Sequence, residues 1–199
     1  MSKMNKNKLL TTGSVMVALS AFVPNQNEAL ANTATFSPTA TVVDPITLSA
    51  AQELLFGKMA HTGSSGHLTI TTAGAQQQTG GVQALGGTYQ EGKLAITGPK
   101  ATNLVLSVVG LAGSPIALTT AGDTLSITRF NFEDPGTAVS APAGTFNLKV
   151  GDATTTFKFA GTGTAAETTN LSFGAQLDVD GDEAAGTYSG SFVMSVTYP

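Results

Sequence analysis

Ten of the 42 residues from Gly57 to Gly98 are glycine. Each glycine inside a helix costs about 1 kcal/mol relative to alanine, so an ordinary helix is excluded there. Elsewhere, threonine and serine alternate with apolar residues. That period of two belongs to strands with one buried face. The clearest case is the stretch AGTYSGSFVMSVTYP. Tyr188, Gly190, Phe192, Met194, Val196 and Tyr198 fall on one parity and are expected to face a core. Ser189, Ser191, Val193, Ser195 and Thr197 fall on the other. Ala185-Gly186 supplies a turn into this strand. Pro199 has no N–H with which to extend a ladder, so the strand is expected to need a partner.

Further strands are expected at about Thr39–Leu48, Gly66–Thr72, Lys93–Thr97, Asn103–Val109, Asp123–Phe132, Gly144–Val150 and Thr154–Ala160. Turn chemistry separates them: Gly113-Ser114-Pro115, Asp134-Pro135-Gly136, Ala141-Pro142, Gly151-Asp152, Gly161–Gly163 and Asp180-Gly181. Ser49–Phe56 reads either as one helical turn opened by Ser49, with Gln52 as a weak capping partner, or as a strand. No period of 20–50 residues repeats, which argues against a solenoid or propeller. Many short strands between turns point to an all-β fold, a β-sandwich.

The first residues have another character. Lys3, Lys6 and Lys8 precede a mainly apolar run, Leu9–Val23, and Ala29-Leu30-Ala31 forms an A-x-A site. This is the pattern of a secretory signal peptide over 1–31. The apolar run is shorter than the about 20 residues of a membrane-spanning helix and is broken by Thr11, Thr12 and Gly13. Cleavage after Ala31 leaves 168 residues with a net charge of −6. That length supports one domain with its own core. Its acidity is a poor match to a phosphate backbone, so no nucleic-acid partner is expected. No second hydrophobic span follows the leader. With no cysteine, an exported fold must rest on packing and strand pairing alone, without disulfides or thiolate metal sites.

Few residues look chemical. Asp178, Asp180 and Asp182 have the spacing of oxygen ligands for a hard cation. An EF-hand loop wants Gly sixth and Glu twelfth, where this sequence has Glu183 and Ser189. A solvated hairpin turn with Asp180-Gly181 at its tip is the favoured reading. His61 and His67 bracket TGSSG in what reads as a Gly/Ser loop, with no carboxylate or Cys beside them. The sequence lacks a G-x-S-x-G nucleophile elbow and a phosphate-binding glycine pattern. The expectation is a protein that is not an enzyme and takes no metal or cofactor.

One segment fits a different role. In NTATFSPTATVVDPITLSA, one parity carries Ala34, Phe36, Pro38, Ala40 and Val42. The parity shifts at Val43-Asp44-Pro45. Two prolines in an apolar run argue for an edge strand, or for a segment that pairs with another molecule's sheet edge. Residues 32–40 thus read as an N-terminal extension and 41–199 as the domain.

The two ends together resemble subunits of chaperone–usher pili. Those typically end in an alternating strand with a penultimate Tyr, here Tyr198, and a Gly fourteen residues from the end, here Gly186. The chain is also similar to a family of secreted bacterial proteins of unassigned function. The shared stretches are ATVVDPITL (Ala40–Leu48), Leu54–Gly57 and the ending Ala185–Tyr198. The pilin resemblance implies an immunoglobulin-like β-sandwich completed by a donor strand. It implies assembly by strand exchange with other copies or related subunits, after handling by a periplasmic chaperone. It further implies a place from the periplasm to the surface of a Gram-negative cell, as part of a fimbrium with a role in adhesion. Phe36 and Val42 would fill a neighbour's groove, Gly186 would permit the turn, and Tyr188, Phe192, Met194, Val196 and Tyr198 would line the acceptor. The alternative is a stand-alone secreted module binding a sugar or matrix ligand.

Overall fold

A computed structural model describes residues 34–133, 146–158 and 165–199. The expected leader and its cleavage site lie outside these residues. So do the expected turns at Asp134-Pro135-Gly136, Ala141-Pro142 and Gly161–Gly163. Thr41–Pro199 belong to one compact unit. Among the described residues there are eleven strands, all antiparallel, in two sheets, and no helix. The all-β sandwich expected from periodicity is what the chain forms.

The larger sheet is built on a single long ribbon. Strands β1 (Thr47–Gln52) and β2 (Leu55–Ile70) run as one almost continuous chain, and β3 (Gln76–Gln90) and β4 (Gly92–Pro99) run back along it. β1 pairs with β4 and β2 with β3. The central strand is β10 (Ala166–Val179), which pairs first with β4 and then with β2 along the same edge. Where β4 lies against β10, β1 is outside. Where β2 lies against β10, β3 is outside. The ribbon therefore turns over between Gln52 and Gly66. Bulges at Phe56/Lys58, Lys58/Met59 and His61/Gly66 supply the extra twist. At the point of change, β10 passes so close to β2 that a Cβ on Gly174 would lie 1.9 Å from the carbonyl oxygen of Ile70. Only glycine fits there.

The other edge of β10 carries β7 (Asp123–Phe132), which also pairs with β6 (Ile116–Thr120) and β8 (Phe146–Lys149). The smaller sheet has the order β11 (Met194–Thr197), β5 (Asn103–Val108), β9 (Thr155–Lys158). Alternate residues of both sheets meet in one core. Leu68, Leu94, Ile96, Phe130, Phe132 and Leu171 come from the large sheet, and Leu104, Leu106, Phe157 and Val196 from the small one. Burying each such side chain contributes about 1.5–3 kcal/mol. Phe146 stacks on Phe132 at 5.1 Å and on Phe157 at 6.2 Å, so aromatic contact bridges the two sheets.

Several local expectations are corrected. The strand expected at Thr39–Leu48 is absent: residues 34–46 have no regular secondary structure, and the strand starts at Thr47. Pro38 and Pro45 fall in the irregular part, where missing N–H groups do not interrupt a ladder. Ser49–Phe56 is extended, not helical. His61 and His67 lie in strand β2 rather than in a flexible loop. Gly57 and Gly63 fall in bulges of the ribbon and Gly66 pairs with Gly80, positions that tolerate glycine where a helix would not. The most central strand, β10, falls where no strand was expected.

Candidate functional site

The C-terminal segment does not form the long strand that its alternation predicts. Ser189 makes an isolated bridge to Thr119, and regular pairing begins only at Met194. The bridge has two bonds, Ser189 N–H to Thr119 O at 3.0 Å and Thr119 N–H to Ser189 O at 2.8 Å. Farther along, Val109 N–H donates to Val193 O at 2.8 Å, and β11 pairs with β5. The segment is therefore held along one edge only. Phe192 anchors its middle, with its ring 4.8 Å from Phe130 and 6.0 Å edge-on from Phe173.

Opposite runs the first half of the ribbon, Leu48–His61, likewise paired along one edge, to β4 and β3. Between the two lies a groove of about 1470 Å³. Leu48, Leu54, Phe56 and Met59 line it on the ribbon side. Gly186, Tyr188, Phe192 and Met194 line it on the C-terminal side. Leu94, Leu118, Leu125, Ile127, Phe173 and Leu177 form the floor. The charged residues of the lining are Glu53, Lys58, Lys93 and Glu183. Among the described residues no backbone hydrogen bond joins residues 44–61 to residues 183–198. The ribbon wall thus presents an unpaired strand edge, and the C-terminal wall an extended segment tied to β6 at Ser189 and to β5 from Met194, across an apolar floor. The walls run antiparallel: Asp44 lies next to Tyr198 at one end, and His61 next to Glu183 at the other.

The C-terminal wall is fixed to β7 by Asp123. Its Oδ2 accepts from Ala184 N–H at 2.6 Å and from the Tyr188 hydroxyl at 2.9 Å, and its Oδ1 accepts from Thr124 N–H at 2.7 Å. These donors hold the Asp123 carboxyl below its ordinary range, the Ala184 and Thr124 amides first and the Tyr188 hydroxyl next. Tyr188 is pushed up to about 12, chiefly because its hydroxyl is removed from water and secondly because it donates to Asp123.

The expected site residues divide. Tyr188, Phe192 and Met194 are half-buried, line the groove and pack on the core, and Val196 is buried beneath it. Tyr198 is a correction. It is 38% exposed and faces away from the core, donating its hydroxyl to Asp44 O at 2.6 Å. Gly186 sits against β6, where a Cβ would come within 2.8 Å of Thr120 Oγ1. Phe36 and Val42 are exposed, outside any strand. The ribbon wall was missed. Its signal was the pair of apolar residues Leu54 and Phe56 in the stretch that read as helix or strand.

The acidic turn holds no ion-binding cluster among the described residues. Asp178 Oδ1 is shared by His67 Nδ1 at 2.8 Å, Thr128 Oγ1 at 3.0 Å and Gln176 Nε2 at 3.0 Å. Glu183 turns back to accept from the N–H groups of Asp180 and Gly181. No described helix is long and apolar enough to cross a membrane.

Residues 46–198 match the protein family described as a domain of unknown function, DUF4402. No curated protein and no solved structure matches the chain.

Proposed function

The chain belongs to the DUF4402 family, and we propose that this member is an exported structural or adhesive surface subunit that assembles by strand exchange. One observation carries the reading. Two antiparallel walls, one an unpaired strand edge and the other an extended segment, face one another over an apolar floor. Unpaired N–H and C=O groups along a strand edge are a template for another strand. A strand laid between these walls pairs on both sides, parallel to one and antiparallel to the other. Its side chains on one parity descend onto Leu94, Leu125 and Phe173.

The occupant is the segment Ala34–Val42 of another copy. It is uncharged, as an apolar floor requires, and Phe36 and Val42 give one parity its bulk. Nine extended residues span about 30 Å. The ribbon wall Leu48–His61 spans roughly 40 Å when extended, so the segment fits within it. On the pilin resemblance, a periplasmic chaperone fills the same groove before assembly, and the destination is a fimbrium on a Gram-negative cell. The function is mechanical and adhesive, without catalysis.

The test is to purify the exported protein and follow it by sedimentation and electron microscopy. Fibres or a ladder of oligomers are expected, and excess synthetic Ala34–Val43 peptide should suppress them. A monodisperse monomer that ignores the peptide would discard the reading. In that case the stand-alone binding module gains. Its site would be the polar hollow of about 430 Å³ lined by Ser65, His67, Thr79, Asp178 and Asp180.

A further inference from the structure

His61 lines one end of the groove, Tyr198 lies four residues past Met194 beyond the other end, and each reaches from one wall segment to the main chain of the other. His61 Nε2 is 3.0 Å from Glu183 O. Tyr198 Oη is 2.6 Å from Asp44 O. The walls between these crossings match in length, 17 residue steps from Asp44 to His61 and 15 from Glu183 to Tyr198. One neutral tautomer of His61 satisfies both of its neighbours. Gly63 N–H donates to Nδ1 at 3.3 Å, which leaves the proton on Nε2, aimed at Glu183 O. Glu183 is itself held, because its carboxylate accepts from Asp180 and Gly181. Both His61 and Tyr198 are exposed, so neither earns its place by core packing.

We propose that His61 and Tyr198 are paired latches that fix the spacing of the groove walls and so preorganise them for an extended strand. Their purpose rests on the strand-accepting reading given above. Their mechanical action does not, and it can be measured apart from it. An edge strand held on one side frays readily. Ordering two fraying walls at the moment of binding would weaken capture. A tie at each end holds the walls beforehand, and it leaves their own pairing to β4, β3 and β5 untouched.

The experiment is amide hydrogen exchange on the exported protein without peptide, comparing wild type, Tyr198→Phe, His61→Ala and the double variant. Tyr198→Phe should speed exchange about fivefold, the size expected of one lost hydrogen bond, at Asp44–Leu48 and Met194–Thr197. It should leave the His61 end unchanged. His61→Ala should do the reverse, at Met59–Gly66 and Glu183–Gly190. Acceleration throughout the fold, or none at either end, would overturn the latches. A second arm adds the Ala34–Val43 peptide. The double variant should bind it at least about tenfold more weakly than wild type, and equal binding would refute preorganisation. If wild type fails to bind the peptide, the strand-accepting reading falls, while the exchange data still decide whether the latches exist.

Discussion

Tyr188 and Asp123 join the C-terminal wall of the groove to the first residue of β7, hydroxyl to carboxylate at 2.9 Å. The same carboxylate oxygen takes the Ala184 amide, so one acid positions two points of a segment that otherwise lacks regular pairing. Its protonation should therefore matter. Asp123 is held below its ordinary range, so it stabilises the fold above the usual carboxylate value of about 3.9. That contribution is lost as pH falls from there through its lower folded value. Tyr188 behaves oppositely. Its value is raised to about 12, so its contribution is complete below about pH 10 and is lost as pH climbs toward the folded value. Denaturant midpoints measured across pH should show both limbs. Asp123→Asn should flatten the acid limb and Tyr188→Phe the alkaline one. Unchanged profiles would remove this clamp from the account of the wall.

Phe36→Asp should abolish assembly and leave the subunit folded, because Phe36 is 85% exposed and takes no part in the core. Placing a carboxylate on the apolar floor of a neighbour would require burying a charge without a partner. Met194→Asp should destabilise the subunit itself, since Met194 packs against its own core. Circular dichroism reads folding and sedimentation reads assembly. Unfolding by Phe36→Asp in a monomeric protein would mean that Phe36 packs within its own chain.

Phe192→Ala should cost about 2–3 kcal/mol, below the 3–5 typical of fully buried rings, because Phe192 is only half-buried. The loss removes two ring contacts, to Phe130 and Phe173. Chemical denaturation checks the magnitude. A change under about 0.5 kcal/mol would show that the segment is anchored elsewhere.

Gly174→Ala should destabilise by at least about 2 kcal/mol, as overpacking against backbone does. The added Cβ meets the Ile70 carbonyl, which cannot rotate away without breaking the β2–β10 ladder. A neutral result would mean that β10 changes partner with more room than the geometry allows.

Calcium and a chelator should give the same melting temperature to within about 2 °C, no more than about 0.5–1 kcal/mol for a domain of this size. The carboxylates of Asp178 and Glu183 already accept hydrogen bonds from within the fold. A shift above about 5 °C would reopen the acidic turn as an ion site.

The sequence by itself determined the class of fold and the parity that faces the core from Phe192 to Val196. Parity is a local property: Phe192, Met194 and Val196 share a side wherever the strand goes, and the glycines exclude helices whatever surrounds them. Leu171, Phe173, Leu177 and Val179 of β10 were as legible by the same rule, although they were left unassigned. Which edges pair, and which stay open, was decided only by the tertiary structure. Pairing depends on residues far apart in the chain, such as Ala175 opposite both Ile70 and Phe130. The ribbon's half-turn hands β10 from β4 to β2, and no local pattern encodes that exchange. The groove exists because two segments about 140 residues apart stop short of each other. Tyr198 illustrates the limit: its parity placed it in the core, but its hydroxyl went to Asp44, because a polar tip at a strand's end finds more to bond with at the rim than beneath it.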